Sequence, residues 1–499
     1  MRAIPLGELL LTRLDDPEHA GLPAHRRVFE AIRQAILRQE LPLGAKLPST
    51  RDLASELRVS RNTVLSAYDQ LLAEGYVESR TGSGTYVADT LTSDFPAADA
   101  PRAASGRRQP ARLSERGQRL TGFASERHYE LQEFVAGAND FSGFPLELWA
   151  KLQARHWKRR EPEMLDYSRD GGHAPLREAL ADYLRISRSV QTTPEQILIT
   201  GGTQQSIDLC ARLLADPGDV AWIENPGYWA AKRLFDANGL QLHPVAVDAE
   251  GIAPDAADWQ TRPRLIYVTP SHQYPCDVVM SLQRRRAVVD FAARTGAWIL
   301  EDDYDSEFRY AGRPVASLQG LDRHGRVIYM GTFSKILYPG IRVGYLVVPP
   351  ELVEPMRVGL TDLHRPGQMP VQAALADFIR QGHFASHIRT LRQRYGRSRA
   401  MLQQTLQQAL RPEATLSSAD TGLHLVIGLP ASCPDTPLCA EAARQGLDVR
   451  PLSAYYMGPP RRQGLVVGFG YTPLDQVETH AGELARLVNA ALRNTARGG

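Results

Sequence analysis

Apolar residues recur at 28, 29, 32 and 36 in HRRVFEAIRQAILRQ (25–39), a spacing that predicts one buried face of a helix. The turn LPLGAKLPS follows. STRDLASEL (49–57) opens on Ser49 with Asp52 three positions on, a capping-box pattern, and turns Leu53 and Leu57 inward. SRNTVLSAYDQLLAEG (60–75) predicts a third helix. Ser60 is its cap candidate, Val64, Tyr68, Leu71 and Leu72 share a face, and Gly75 can end it. In YVESRTGSGTYVA the period changes to two around a Gly-rich turn, which predicts a β-hairpin.

Three helices, a short turn between the second and third, and a hairpin make a winged helix-turn-helix. Its third helix would enter the major groove of DNA. Ser60, Arg61, Asn62 and Thr63 sit at the start of that helix, with Arg51 on the helix before it. The wing tip, Arg80, Thr81, Gly82, Ser83 and Gly84, offers a guanidinium, hydroxyls and open backbone N–H groups to phosphate. Residues 1–88 carry 11 Lys/Arg against 11 Asp/Glu, so the module is not basic overall and its charge alone argues for no partner. A protein-docking winged helix is the alternative.

Periodicity is lost from 90 to 128, where Pro96, Pro101 and Pro110 stand among Ala and Ser. This reads as a flexible linker between a domain at 1–89 and a second at 129–499. Its stretch RRQPARLSERGQR has five Arg against one Glu, for solubility or an extra phosphate contact. Beyond it, helical patterns alternate with short apolar runs: ILIT (197–200), VAWIE (220–224), LIYVTP (265–270), AWILED (297–302) and VIYMG (327–331). That rhythm predicts an α/β domain with a mostly parallel sheet, whose ligands sit beyond the carboxyl ends of the strands.

Composition adds little. The chain has 499 residues, 43% of them hydrophobic, and a net charge of +2. Two or more globular domains are expected. Four cysteines lack CxxC spacing, no signal-peptide pattern opens the chain, and no apolar run approaches membrane-spanning length. A soluble cytoplasmic protein is the expectation.

The polar residues that follow the apolar runs carry the chemistry. After ILIT come Gly201, Gly202 and Thr203 and then an amphipathic helix, an anion cradle or an ordinary glycine turn. After VAWIE comes Tyr228. After LIYVTP comes SHQYP. After AWIL stand Glu301, Asp302, Asp303, Tyr304 and Asp305: a metal site, a solvated loop, or one carboxylate kept opposite a cation. After VIYMG comes GTFSKILYPGIR, with Lys335 and Arg342. Pyridoxal phosphate uses such a set without a metal: an amine for its aldehyde, anion contacts for its phosphate, a carboxylate at the ring nitrogen and aromatic neighbours.

KLPSTRDLASELRVSRNTVLSAYDQLLAEGYVESRTGSGTYV resembles the GntR-type DNA-binding domain. ENPGY, TPSHQYP, EDDYDSEFRY and GTFSKILYPGIRVGY resemble blocks of class I aminotransferases of fold type I. The whole chain resembles the MocR (GabR-like) regulators, which join the two. The resemblance implies that Lys335 is the Schiff-base lysine for pyridoxal 5′-phosphate. It implies Asp302 as partner of the pyridinium nitrogen, Tyr304 as the phenol near the ring hydroxyl and Tyr228 as the stacking aromatic. Gly202, Thr203, Thr332, Ser334 and Arg342 would form the phosphate cup. Tyr167 would reach the phosphate in the partner subunit of a homodimer. Gln273 and Tyr274 lie near the ring by analogy. Asp303 and Asp305 are read as capping or solvent-facing.

Two positions depart from the pattern. The arginine that holds a substrate carboxylate in aminotransferases falls on Val466, with Arg450, Arg461 and Arg462 as substitutes, and Asp277 stands where glycine is usual. The reading is a DNA-binding transcriptional regulator whose effector is pyridoxal phosphate, alone or with an amino compound. A working aminotransferase with an accessory DNA-binding module is the alternative.

Overall fold

A computed structural model of the chain describes residues 6–14, 21–80, 82–88, 112–121, 133–158, 161–312, 315–417 and 420–498. They form two compact units, 1–112 and 113–499.

The first unit opens with α1 (Leu6–Leu14), a helix that the sequence pattern did not suggest, followed by α2 (Ala24–Leu37). α2 buries Val28, Phe29, Ile32 and Ile36 as its periodicity predicts. α3 (Thr50–Glu56) is capped by Ser49, whose Oγ accepts from the Asp52 N–H at 3.2 Å. α4 (Arg61–Ala73) is capped by Ser60, which accepts from the Thr63 N–H at 3.1 Å. Such caps satisfy N–H groups that the helix cannot, and each contributes about 1 kcal/mol. β1 (Val77–Arg80) and β2 (Gly84–Val87) pair antiparallel, with Arg80 opposite Gly84. Leu53, Val64, Tyr68, Leu71, Val77 and Val87 close one core with the α2 face.

The second unit opens with α5 (Glu115–Thr121). This differs from the sequence reading of 90–128 as one flexible linker: residues 115–121 are helical, and Arg119 Nε lies 3.3 Å from Asp236. None of its residues is buried, so no apolar face marks it in the sequence. α6 (Leu146–Trp157) and α7 (Ala174–Arg188) lead into the large sheet.

That sheet takes β3 (Ile197–Thr200), and α8 (Thr203–Leu214) follows at once. Next come β4 (Val220–Asn225), α9 (Trp229–Ala237), β5 (Gln241–Asp248) and β6 (Gly251–Ile252). Then come β7 (Leu265–Val268), α10 (Leu282–Thr295), β8 (Trp298–Asp303), α11 (Leu318–Leu321), β9 (Val327–Thr332) and β10 (Gly344–Val347). The order across the sheet is β3-β10-β9-β8-β7-β4-β5-β6. Strands from β9 to β5 are parallel, and β10 runs against both its neighbours. β3, β7, β8, β9 and β10 are buried along their whole length. Their continuous apolar runs follow from helices covering both faces.

α12 (Val353–His364), α13 (Met369–Arg380) and the long α14 (His383–Ala409) lead to a smaller part. There β11 (Thr415–Leu416), β12 (His424–Leu429), α15 (Asp435–Arg444), β13 (Arg450–Pro451), β14 (Gln463–Gly468) and α16 (Val477–Gly498) build an antiparallel sheet, in the order β11-β12-β14-β13. Its core joins α14 and α16 through Leu402, Leu406, Leu484 and Val488.

Candidate functional site

β3, β9, β8, β7 and β4 run the same way, so their carboxyl ends meet at one edge of the large sheet. Gly344 on β10 lies opposite Thr200 on one side and Thr332 on the other. A Cβ on Gly344 would come 2.7 Å from Gly202 Cα and 3.0 Å from the Gly331 carbonyl oxygen. Only glycine lets the turns after β3 and β9 come this close.

Those turns form the anion cradle. Gly202, at φ 113°, is the N-cap of α8, and Thr203 is its first residue. Arg342 Nη1 lies 3.7 Å from where a Gly202 Cβ would be. The Thr332 hydroxyl donates to Ser334 Oγ at 3.1 Å, and the Ser334 N–H donates back to Thr332 Oγ1 at 3.2 Å. A helix N-terminus, a guanidinium and two hydroxyls therefore converge where a phosphate could sit.

Lys335 follows directly. Its Nζ donates to the Gly137 carbonyl, and Asn139 Nδ2 ties the loop by donating to the Ser334 carbonyl at 3.2 Å. Burial lowers the amine from the usual lysine range, against the raising fields of Asp305 and Asp302. A lysine nearer neutrality is the form that attacks carbonyl carbon.

Asp302, the second-to-last residue of β8, is 3% exposed. Tyr267 Oη donates to its Oδ2 at 2.5 Å, while Oδ1 is buried with no hydrogen-bond partner among the described residues. Burial pushes its carboxyl up to about 7, and the Tyr267 hydrogen bond pulls the other way. An unmet buried acceptor costs about 1–3 kcal/mol, so this atom suits an incoming donor such as a protonated ring nitrogen.

Three tyrosines line the same end. Tyr228 opens α9 and meets Tyr274 edge to face at 6.0 Å. Tyr274 meets Tyr304 at 6.1 Å, and its hydroxyl pairs with Tyr455 at 2.8 Å. Of the two residues left open by analogy, Tyr274 is the one among the aromatics. Gln273 is 1% exposed and spends its amide on Glu224 and on the Pro226 carbonyl. Tyr167 is 57% exposed, with Arg365 over its ring at 5.7 Å. No contact of the chain brings it to Lys335 among the described residues.

Two sequence readings are corrected. Asp303 and Asp305 do not face solvent: they are 4% and 1% exposed. Asp303 accepts from Arg188 Nε at 2.7 Å and from Tyr329 Oη at 2.5 Å, and Asp305 contacts His272 Nδ1 at 2.7 Å. The strand end is roofed by α7 and by the 271–277 loop, which alternating polarity could not reveal. Asp277 is likewise buried, at φ 56°, and is engaged by His272 and Ser417. Val466 is fully buried on β14, opposite Val426 and Arg450. Arg450 is paired with Asp448 at 2.8 Å.

In the first unit, Arg51, Ser60, Arg61 and Asn62 are exposed and Thr63 is half-buried. Arg61 Nε approaches Thr50 Oγ1 at 3.4 Å, which puts the starts of α3 and α4 side by side. At the wing, Arg80, Gly82, Ser83 and Gly84 are exposed, while Thr81 lies outside the described residues. Arg80 lies 4.6 Å over the Tyr86 ring and pairs with Glu78 at 2.7 Å. Sequence reasoning missed Lys46. It bridges to Tyr86, with Nζ 5.9 Å over that ring, and so adds a cation to the wing. Arg61→Ala is expected to weaken DNA binding by about 1–3 kcal/mol. Gel-shift titration at moderate salt checks this, and an unchanged affinity would remove Arg61 from the interface.

This architecture is that of a DNA-binding regulator joined to an aminotransferase fold, and the comparisons agree. Residues 134–462 match the aminotransferase class I and II family, and residues 24–87 match the gntR family of bacterial regulatory proteins. The chain is 40% identical over 90% of its length to the probable rhizopine catabolism regulatory protein MocR of Rhizobium meliloti, covering 90% of that protein. It is 30% identical over 95% of its length to the pyridoxine biosynthesis transcriptional regulator PdxR of Corynebacterium glutamicum, covering 98% of it. Among solved structures, a kynurenine aminotransferase from Pyrococcus horikoshii superposes with a TM-score of 0.68 at 25% identity, over 77% of this chain and 96% of that one. The chain belongs to the MocR family of helix-turn-helix transcriptional regulators, with an aminotransferase class I and II domain.

Proposed function

We propose that the chain regulates transcription in response to pyridoxal 5′-phosphate, alone or with an amino compound, held at Lys335. The observation that carries this is the pairing of a burial-depressed lysine with the orphaned Asp302 Oδ1 beside an anion cradle. When bound, the cofactor would supply an aldehyde to the Lys335 amine and a ring that draws electrons toward its nitrogen. Asp302 would hold that nitrogen's proton in place, and Gly202, Thr203, Thr332, Ser334 and Arg342 would hold the phosphate. Tyr228 would cover the ring, with Tyr304 near its hydroxyl. Tyr167 serves the site of a second copy, which makes the regulator a homodimer, and such a dimer reads paired half-sites in double-stranded DNA. Its Arg51, Ser60–Thr63 and wing residues would make the contacts. Target genes lie in vitamin B6 or amino-acid metabolism.

Regulation requires that the loaded and free forms differ in affinity for DNA. The test titrates cofactor-free protein with pyridoxal phosphate and reads absorbance and affinity for its own upstream DNA together. A visible band with a changed DNA affinity is expected. A band with no change, with or without added amines, sinks the regulatory role of the site. A working aminotransferase is the second reading, favoured by the same lysine and opposed by Val466, which cannot hold a carboxylate. A single-turnover assay with amino acids separates the two.

A further inference from the structure

His272 occupies an unusual position at the edge of this site. Its Nδ1 lies 2.7 Å from Asp305 Oδ2, and its Nε2 lies 2.9 Å from Asp277 Oδ1. All three side chains are at most 1% exposed. A neutral imidazole has one N–H, so it would leave a ring lone pair against a buried carboxylate; two N–H groups satisfy both acids. The ring lies against two others, stacked with Tyr304 at 5.9 Å and tilted to His424 at 4.6 Å. Gly422 presses on its edge so closely that a Cβ there would overlap His272 Cε1. Ser417 donates to Asp277 Oδ2 at 2.5 Å and so ties the group to the smaller sheet.

The Tyr304 hydroxyl lies 3.1 Å from the same His272 Nδ1 and has no other hydrogen-bond partner among the described residues. When Nδ1 carries a proton and donates it in a hydrogen bond to Asp305, it has no lone pair for Tyr304. We propose that Asp305 and Asp277 hold His272 as a buried imidazolium, a positioning group that leaves the Tyr304 O–H free to donate into the cofactor site. The inference rests on the reading that Tyr304 stands by the ring oxygen of the cofactor. Asp277 stands where the resembled family pattern usually has glycine.

The surrounding charges agree. Burial alone would lower the imidazole, but Asp305 and Asp277 outweigh it and bring it up to about 10. His424 from β12 faces the ring and is driven well down by burial, so it stays neutral and adds no competing charge. Arg399 from α14 acts on Asp277, and Lys335, Asp302 and Asp303 act on Asp305 or on its neighbours.

Two measurements test this. The first uses cofactor-free full-length protein labelled with 15N-histidine at pH 7, with His272 signals assigned by their loss in His272→Gln. Two protonated ring nitrogens are expected, and one bare nitrogen overturns the proposal. The second follows the pH midpoint of the visible band of the lysine-bound cofactor. A donor to the ring oxygen drains the negative charge that retains the proton on the linkage, so losing that donor raises the midpoint. In Asp305→Asn the single imidazole proton sits on Nε2 beside Asp277, and the bare Nδ1 accepts a hydrogen bond from the Tyr304 O–H. The midpoint should rise by about one pH unit, the tenfold effect of one hydrogen bond to a charged oxygen. Tyr304→Phe should raise it as much, and the double variant no further. Loss of a negative charge alone would lower the midpoint, so a fall or no change in Asp305→Asn overturns the proposal. If the wild type forms no band, the cofactor reading itself fails, and the imidazolium measurement registers that separately.

Discussion

Lys335→Ala gives a folded protein that no longer shows the visible band of a lysine-bound cofactor and whose DNA affinity no longer responds to pyridoxal phosphate. The fold survives because the side chain makes one hydrogen bond to the Gly137 carbonyl, and its burial works against its charge. Removing a group held against its own solvation costs little, whereas the covalent link has no substitute in the cradle. Absorbance, reductive trapping followed by peptide mapping, and gel-shift titration check the three parts of this expectation. One other lysine deserves a control. Lys232 on α9 is lowered to about 8 by burial and donates to the Tyr455 carbonyl. A band that survives Lys335→Ala and vanishes in Lys232→Ala would move the cofactor to that residue.

Asp302→Asn is expected to weaken cofactor binding by about 3–5 kcal/mol, roughly 150- to 5,000-fold, because it leaves a buried ring cation without its counter-charge. The size follows from Asp302 being nearly inaccessible and from its Oδ1 having no other partner among the described residues. Equilibrium titration with the variant measures it, and a loss below tenfold would take Asp302 out of the ring-nitrogen role. The same variant carries a stability signature without cofactor. The folded carboxyl titrates near 7 against 3.8 for an ordinary one. Between those values the native state keeps a proton that the unfolded chain has released, so stability falls as pH rises through the window. Asp302→Asn should flatten that fall, read as melting temperature against pH.

The chain's order of residues determined most of this architecture. The period of 3.6 in α2 and α4 and the period of two in β1 and β2 were legible because each element buries one face on a single small core. The continuous apolar runs of β3, β4, β7, β8 and β9 were legible because both faces of the large sheet are covered. Lys335, Asp302, Tyr228 and Arg342 stood out as polar residues directly after those runs, where parallel strands must deliver them to one edge. Helix α1 and the short α5 were not read from the sequence; α5 buries none of its residues, so no apolar face marks it. Lys46 joins the wing through a bridge to Tyr86, forty residues along the chain. What only the tertiary structure decided is the fate of the acids. Asp277, Asp303 and Asp305 look like loop carboxylates in sequence, and all three are buried against basic side chains, His272 from a neighbouring loop and Arg188 from α7. Local pattern records which face a residue turns inward; it does not record which distant group it meets there, and a buried charge is made tolerable only by that meeting.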